Sequence, residues 1–257
     1  MKNKCLAILG MHRSGTSLAA SWLHSSGLFL GEDLLGAGVG NERGHFEDRA
    51  FHDLHEEIFR AQGLSYGGLL NLGRLHVGAH EKEMIRNLVA DRQMRYTQWG
   101  WKDPRSCLFL HVYLDLIPEI RIFSIYRDYR SVVDSLIRRK IKAKEKKLKH
   151  KKNVAKRHVY KLFFNIFEKT RISAMSSDYL EAWIIYNEKI IKALERTGPD
   201  NYILVFADDI VNEANAICRK IIKWGFNLQT KDISLIYDEK MMKKFVNYES
   251  FNPDLIT

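Results

Sequence analysis

The sequence predicts an α/β fold in which helices cover both faces of a mostly parallel central sheet. Apolar segments of strand length alternate with longer segments of helical periodicity along the 257-residue chain. A glycine-rich loop joins the first strand-like segment directly to a helix-like one, as is usual in parallel sheets. These observations favour three layers, α/β/α, in a single domain that spans residues 1–257.

The elements of the first half follow from hydrophobic pattern and helix breakers. KCLAIL at residues 4–9 is a predicted strand, and a helix follows the loop GMHRSG. Apolar residues recur at helical spacing between about 46 and 60, and a second amphipathic helix is predicted over 80–94. WGWKDP predicts a short strand and a turn, and residues 106–117 have helical length between two prolines.

The second half repeats the alternation. IRIFSIYR at residues 120–127 is β-branched and aromatic, which predicts a strand, and a helix follows it over 129–140. A long helix is predicted over 179–198, with Gly198 at its end. NYILVF predicts another strand and 208–226 a closing helix, whereas the last thirty residues show no clear pattern.

The net charge of +10 is concentrated in one segment. Residues 138–158 hold twelve Lys and Arg against the single Glu145, which leaves the rest of the chain nearly neutral. A nucleic-acid-binding domain would spread its charge over a folded face, so no specific nucleic acid is expected as a partner. We interpret the segment as a helical or mobile insertion at about 138–158. It is a solvated surface, a contact for an anionic surface such as membrane headgroups or acidic glycan, or an electrostatic funnel for a polyanion.

Composition excludes several other classes of protein. No apolar run approaches the ~20 residues that cross a bilayer, and the apolar start at 5–9 is shorter than a signal-peptide core. Three cysteines without a CxxC pair argue against a disulfide framework and fit a reducing compartment. The sequence therefore predicts a cytoplasmic protein, with membrane association only through 138–158, and no metal site.

The loop G-M-H-R-S-G-T-S, at residues 10–17, carries the first chemical signal. Between a strand and a helix, its backbone N–H groups and the helix dipole form a cradle for phosphate. The loop matches the P-loop pattern G-x4-G-K-[ST], except that Thr16 stands where the lysine should be and Arg13 supplies the charge. This substitution disfavours an NTPase or kinase. A generic turn with Thr16 and Ser17 capping a helix is the alternative.

The loop resembles the 5′-phosphosulfate-binding loop of bacterial-type sulfotransferases that use 3′-phosphoadenosine 5′-phosphosulfate (PAPS). Members of that family place a basic residue before S-G-T-[ST], and this chain follows the same order. The resemblance implies that the donor is bound by Arg13, Ser14, Gly15, Thr16 and Ser17. It also implies a P-loop NTPase-like topology for the sheet.

A second segment resembles the 3′-phosphate motif of the same family. Arg127 ends a predicted strand, and Ser135 follows eight residues later on the next helix. A guanidinium and a hydroxyl in this arrangement can both bind a dianionic phosphate. Tyr129 replaces the proline that usually follows the Arg-Asp pair, which loosens the turn but removes no ligand. A surface ion pair would explain R-D-x-R alone, but not its occurrence about 110 residues after the first motif.

Two further segments resemble catalytic parts of sulfotransferases. K-D-P in W-G-W-K-D-P-R implies that Lys102 stabilises the leaving group. N-x-x-G-H-F-E-D, at residues 41–48, implies a general base, for which Glu47 is our first candidate and His45 the rival. Asp48 is expected to cap a helix, and Arg105 either binds a ligand or lies at the surface.

The resemblance implies in-line transfer of a sulfo group from PAPS to a hydroxyl or amine, without a metal and with adenosine 3′,5′-bisphosphate as product. A glycan or lipid-linked acceptor is expected, although peptide tyrosine and a small molecule are also compatible. Loops over 28–43 and 63–78 are expected to hold it. A non-catalytic polyanion-binding protein and a P-loop kinase stay open as alternatives.

Overall fold

A computed structural model describes residues 3–38, 44–65, 67–149 and 168–237. The first half contains the strands and helices β1 (Lys4–Leu9), α1 (Thr16–Ser25), α2 (Arg49–Ala61), α3 (Ala79–Arg95), β2 (Gln98–Lys102) and α4 (Leu110–Leu116). The second half contains β3 (Arg121–Tyr126), α5 (Tyr129–Lys149), α6 (Glu168–Thr197), β4 (Tyr202–Phe206) and α7 (Ala214–Lys223). Short 3₁₀ helices cover Leu72–Arg74, Pro104–Phe109, Pro199–Asn201 and Ile233–Leu235.

The four described strands form one parallel sheet in the order β2-β1-β3-β4. In β1 the residues from Cys5 to Leu9 are all buried, because helices cover both faces of a parallel sheet. Alternate side chains of β1 enter two separate apolar cores. Cys5, Ala7 and Leu9 pack with α2 to α6, whereas Leu6 and Ile8 pack with α1 and α7. The three-layer α/β/α prediction is confirmed.

Parallel strands end at a common edge of the sheet, and this edge carries the predicted motifs. The carboxyl end of β1 leads into Gly10, that of β2 ends at Lys102, and that of β3 leads into Arg127. β1 lies between β2 and β3, so its loop has the other two strand ends on either side. Crevices at such edges are the usual ligand sites of open α/β sheets.

Several element boundaries differ from the sequence prediction. The helix expected over 129–140 continues to Lys149, and the helix expected from 179 begins at Glu168. The helix expected over 106–117 is a 3₁₀ helix followed by α4, because Pro104 begins it and Asp103 accepts a hydrogen bond from the Arg105 N–H at 2.9 Å. The helix expected from 46 begins at Arg49, with Asp48 as its N-cap. The closing helix expected over 208–226 begins only at Ala214, because turns precede it.

The basic segment is described in part. α5 continues through Lys149, so its second half is formed by residues of this segment, whereas 150–158 lie outside the described residues. A single domain over 1–257 with an insertion at 138–158 stays a prediction. Within the described part of the chain, each helix is too short or too polar to cross a bilayer.

Candidate active site

The loop after β1 adopts a conformation that depends on its sequence. Gly10 lies so close to β3 that an added Cβ would be 2.7 Å from the Ile125 carbonyl oxygen and 2.8 Å from Thr16 Cγ2. Arg13 has φ of 70°, a left-handed conformation that is uncommon for a residue with a side chain. Such backbone conformations concentrate at functional sites. Gly15 then serves as the N-cap of α1, so Thr16 and Ser17 belong to its first turn and do not cap it.

The two phosphate-binding motifs of the sequence meet directly. Arg13 Nε donates a 2.9 Å hydrogen bond to Ser135 Oγ on α5. Arg127 Nη1 donates a 2.8 Å hydrogen bond to the Arg13 carbonyl oxygen. The Arg127 carbonyl in turn accepts a 3.1 Å hydrogen bond from the indole of Trp183 on α6. Residues about 110 positions apart in sequence therefore form one cationic cluster at the ends of β1 and β3.

The cluster brings the positive charges of Arg13 and Arg127 close together, with Arg139 nearby. Burial, followed by the charges of Arg139 and Arg127, lowers the pKa of the Arg13 guanidinium to about 10. Burial also lowers the pKa of Arg127, which the charge of Asp208 partly opposes. Lowered pKa values mean that the charged forms are destabilised relative to water, and a bound anion would reverse this effect. The arrangement is suited to a phosphate or sulfate group.

Lys102, at the end of β2, is buried with 2% of its surface exposed. Its ammonium group donates three hydrogen bonds, to Glu47 Oε1 at 2.6 Å, to the His45 carbonyl at 3.1 Å and to Ser17 Oγ at 3.2 Å. Its neighbour Asp103 instead accepts hydrogen bonds from Arg105 and His55. The lysine therefore joins the α1 loop to the segment that precedes α2.

Glu47 lies just before α2 and is buried, with 6% of its surface exposed. Besides Lys102, it faces Arg105 Nη2 at 3.8 Å from Oε2 and His45 Nδ1 at 3.8 Å from Oε1. Burial acts to raise the pKa of Glu47, but the charge of Lys102 and the hydrogen bonds from His45 and Lys102 lower it to about 2. Its basicity is therefore controlled by the position of the Lys102 ammonium group.

The structure brings together all the site residues that the sequence singled out and describes each of them. Ser14 in the loop and Thr16 at the start of α1 are buried, and the His45 side chain is 20% exposed. Asn41 to Arg43, the start of the N-x-x-G-H-F-E-D segment, lie outside the described residues. The roles assigned to these residues stay predictions.

A buried polar network beside Glu47 was not predicted. Asp103 accepts hydrogen bonds from Arg105 Nε at 3.0 Å and Nη2 at 2.9 Å, and from His55 Nδ1 at 2.9 Å. His55 Nε2 accepts a 2.8 Å hydrogen bond from the Tyr113 hydroxyl. Burial opposes the charge of Asp103, but Arg105 and His55 hold its pKa well below the ordinary range. Arg105 is 3% exposed, so the surface position that the sequence left open for it is wrong. The sequence feature that could have indicated its burial is D-P-R directly after a strand.

His12 lies on the other side of the loop arginine. Its ring contacts Tyr186 of α6 edge to face, with centroids 5.9 Å apart, and its Nε2 is buried without a hydrogen-bond partner. Burial, then the charge of Arg105, lowers the pKa of His12 to about 3, so the ring is neutral at physiological pH. Among the described residues, no group of three or more His, Cys, Asp or Glu side chains is arranged to hold a metal ion.

Solved sulfotransferase structures are similar to this chain. A sulfotransferase of Mycobacterium avium is 14% identical, with a TM-score of 0.56 over 94% of this chain and 67% of that one. The sulfotransferase domain of the Synechococcus PCC 7002 olefin synthase is 18% identical, with a TM-score of 0.46 over 100% and 81%. The sulfotransferase domain from the curacin biosynthetic pathway is 14% identical, with a TM-score of 0.44 over 86% and 73%.

No protein-family model and no curated protein matches the sequence. The likeness to the Mycobacterium avium enzyme, which has a TM-score above one half, shows that the chain has the sulfotransferase fold. The resemblance seen in the motifs is thus confirmed for the fold, including the P-loop-like topology.

Proposed function

We propose that the chain is a PAPS-dependent sulfotransferase that transfers a sulfo group to an acceptor hydroxyl or amine. The observation that carries this proposal is the junction of two anion-binding motifs at one sheet edge, with Arg13 bound to Ser135 at 2.9 Å. The buried Lys102–Glu47 pair lies beside the same loop, because Lys102 also contacts Ser17. A phosphate cradle and an acid–base pair are the two parts that sulfo transfer requires.

The residues present fit a donor with two separate anionic groups. The loop at 10–17 and Lys102 offer backbone and side-chain donors for a 5′-phosphosulfate, and Arg127 with Ser135 offers donors for a 3′-phosphate. Threonine at position 16 in place of the P-loop lysine weakens the case for a nucleoside triphosphate. The lowered pKa of Arg13, caused by burial and then by Arg139, supports an anionic ligand at the cluster.

In the proposed mechanism, Glu47 and Lys102 exchange partners. PAPS would supply the sulfo group. The bond between the sulfur and the bridging phosphate oxygen would break as the acceptor hydroxyl or amine attacks the sulfur in line. Lys102 leaves Glu47 and stabilises the charge that develops on the bridging oxygen. Without Lys102, burial dominates at Glu47 and raises its pKa, so the carboxylate can take the acceptor proton. His45, 3.8 Å from Glu47, is the alternative base.

The acceptor would enter beside the loop over 63–78. Tyr186 donates a 2.8 Å hydrogen bond to the Gly68 carbonyl, and an added Cβ at Gly68, which has φ of 59°, would be 2.9 Å from the Tyr186 hydroxyl. The loop is thereby held against α6 and Arg105 at the side of the cleft that faces Glu47. A glycan or a lipid-linked glycan is the acceptor class we propose.

The basic segment would bring the enzyme to an anionic surface. Lys140, Lys142 and Lys146 are exposed on the described part of α5. Their charge would attract membrane headgroups or acidic glycan, and salt would weaken the attraction. The three free, buried thiols fit the cytoplasmic compartment that we propose for the chain.

Calorimetric titration with adenosine 3′,5′-bisphosphate, and with Mg-ATP in parallel, tests the proposal. We expect micromolar affinity for the bisphosphate and little for Mg-ATP, with the bisphosphate affinity reduced about tenfold or more in Arg13→Ala and in Arg127→Ala. Arg86→Ala, an exposed arginine of α3, is the matched control. Preference for Mg-ATP would favour a kinase, and no binding of either would favour the polyanion-binding alternative.

A further inference from the structure

Arg139 lies one helical turn after Ser135 on α5. Residues four apart share a face of a helix and are separated by about 6 Å along its axis. Ser135 is bound to Arg13, so the same face of α5 that meets the phosphate-binding cluster continues to Arg139. Arg139 is half-buried, unlike the neighbouring Lys140, which is exposed. The sequence grouped both residues in one basic segment, but the fold separates them.

Arg139 has no hydrogen bond or ion pair to any other residue within 3–38, 44–65, 67–149 and 168–237. The other cations on this side have partners of their own. Lys102 pairs with Glu47 at 2.6 Å, Arg105 with Asp103 at 2.9 Å, and Arg138 with Asp134 at 2.6 Å. A half-buried guanidinium without a counterion is unfavourable, which makes it a site for an anion from outside.

The charge of Arg139 acts on residues of the phosphate-binding loop and of α6. Its charge contributes to lowering the pKa of Arg13 and, after burial and Arg105, that of His12. It also acts on Tyr179, which lies two turns before Tyr186 on α6 and therefore on the same helix face. His12 contacts Tyr186, and Tyr186 holds Gly68 of the 63–78 loop. Arg139 thus lies on the α5 face that carries Ser135, and its charge reaches Arg13, His12 and Tyr179.

We propose that Arg139, together with His12, binds an anionic group of the acceptor, so that the substrate carries a carboxylate, phosphate or sulfate ester near the group that is modified. This inference rests on the proposed function. Arg139 supplies charge and paired N–H donors to the anion. The neutral His12 ring, with Nε2 lacking a partner among the described residues, supplies a directional hydrogen bond beside it. A neutral sugar would leave Arg139 uncompensated and would bind less tightly.

The test uses glucose, glucuronate and glucose 6-phosphate, which share a ring and differ at one position. Each is titrated by ligand-observed NMR into the full chain saturated with adenosine 3′,5′-bisphosphate, so that Arg13 and Arg127 are already engaged. We expect at least one of the two anions to bind about tenfold or more tightly than glucose, and Arg139→Gln to remove this difference. Comparison of the two anions distinguishes a carboxylate from a phosphate ligand. Lys223→Gln, an exposed lysine of α7 away from the cluster, should leave it unchanged.

Three outcomes would overturn the inference while leaving the proposed function intact. The first is equal binding of all three sugars. The second is an anion preference that survives Arg139→Gln but is lost in Lys102→Gln, which would assign the anion to the sulfo position. The third is a loss of bisphosphate affinity of tenfold or more in Arg139→Gln, which would make Arg139 a donor ligand. Failure of the unmodified chain to bind the bisphosphate would reject both proposals.

Discussion

At Glu47, burial and charge act on one carboxylate in opposite directions. Burial favours the neutral acid, whereas Lys102 at 2.6 Å favours the carboxylate and prevails, with a pKa of about 2. A base with so low a pKa is weak, and its activation depends on the departure of the lysine. In the proposed mechanism, the pair would couple the base Glu47 to the stabilisation of the leaving group by Lys102.

Glu47→Gln is expected to lower sulfo transfer about 10²- to 10⁴-fold, the usual contribution of a general base. The variant should bind adenosine 3′,5′-bisphosphate almost normally, because Glu47 contacts Lys102 and not the phosphate-binding arginines. Steady-state rates and calorimetry on the same preparations measure both effects. Glu57→Gln, exposed on α2, is the control. If Glu47→Gln retains its turnover and His45→Gln loses it, His45 is the base.

The Lys102–Glu47 pair also predicts how stability depends on pH. In the folded chain the pKa of Glu47 lies below its ordinary value of 4.5, at about 2. Its contribution to the free energy of unfolding is therefore present above pH 4.5 and is lost as the pH falls towards 2. In Lys102→Met, burial is no longer opposed by Lys102 and the pKa of Glu47 is expected to rise.

Urea unfolding between pH 3.5 and 7 checks this prediction. Lys102→Met should be destabilised most at neutral pH and should approach the unmodified chain as the pH falls. Lys223→Met, an exposed lysine of α7, should shift the curve uniformly or not at all. A constant difference between Lys102→Met and the unmodified chain at every pH would contradict the depressed pKa of Glu47.

At the scale of elements, the 3₁₀ helix after β2 depends on one carboxylate. Asp103 accepts the Arg105 backbone N–H at 2.9 Å, holds the Arg105 guanidinium, and binds His55 of α2. The Asp103 side chain therefore contacts the turn that follows β2, the Arg105 guanidinium, and α2, the helix that follows Glu47. Removal of its charge would leave Arg105 buried without its closest counterion.

Asp103→Asn is expected to lower the free energy of unfolding by about 3–5 kcal/mol, the usual effect of breaking a buried ion pair from one side. The double variant Asp103→Asn, Arg105→Met should recover part of this loss, because no buried charge is then left alone. Chemical denaturation measures both, with Asp115→Asn of the exposed pair with Arg196 as the control. Equal losses in the control and in Asp103→Asn would show that the network contributes nothing specific.

The sequence predicted the elements better than their contacts. The strands at 4–9 and 120–127 and the loop between Gly10 and Ser17 follow from local pattern, since composition and glycine spacing determine them. The partner of Lys102 did not follow, because Glu47 lies 55 residues away and only the packing of α2 brings it near. The burial of Arg105 could not be predicted from the sequence either, because it depends on the contacts of Asp103 with both Arg105 and His55. For the same reason, Arg139 could not be distinguished from the rest of the basic segment, for which a solvated surface, a contact for an anionic surface and an electrostatic funnel were all open.

At the scale of the whole molecule, charge is divided between a cleft and a helix. Arg13, Arg105 and Arg127 are at least partly buried. Lys140, Lys142 and Lys146 of α5 are exposed. Buried charges act through contacts and resist screening, whereas exposed charges act at a distance and are screened by salt. Added salt should therefore weaken binding to the exposed lysines of α5 more than binding to the buried arginines.

Replacement of Lys140, Lys142 and Lys146 with Gln together is expected to weaken binding to phosphatidylserine vesicles, by about 1 kcal/mol for each lysine near the surface. Vesicle sedimentation at low and physiological salt measures the effect, and bisphosphate affinity should not change by more than about twofold. Lys82, Lys192 and Lys223, exposed elsewhere, form the matched triple control. Equal loss in both triple variants would assign vesicle binding to net charge alone.

The hydrogen bond from Trp183 to the Arg127 carbonyl has an optical consequence. Trp22, Trp99 and Trp101 are fully buried, and Trp224 packs against Arg121 at the opposite end of β3. Trp183 is half-buried and lies against Tyr126 and Tyr129 where that strand ends. Its indole emission should therefore shift or be quenched when an anion engages Arg127. Trp183 could thus serve as an intrinsic fluorophore in stopped-flow measurements of the binding and release of adenosine 3′,5′-bisphosphate, the proposed ligand.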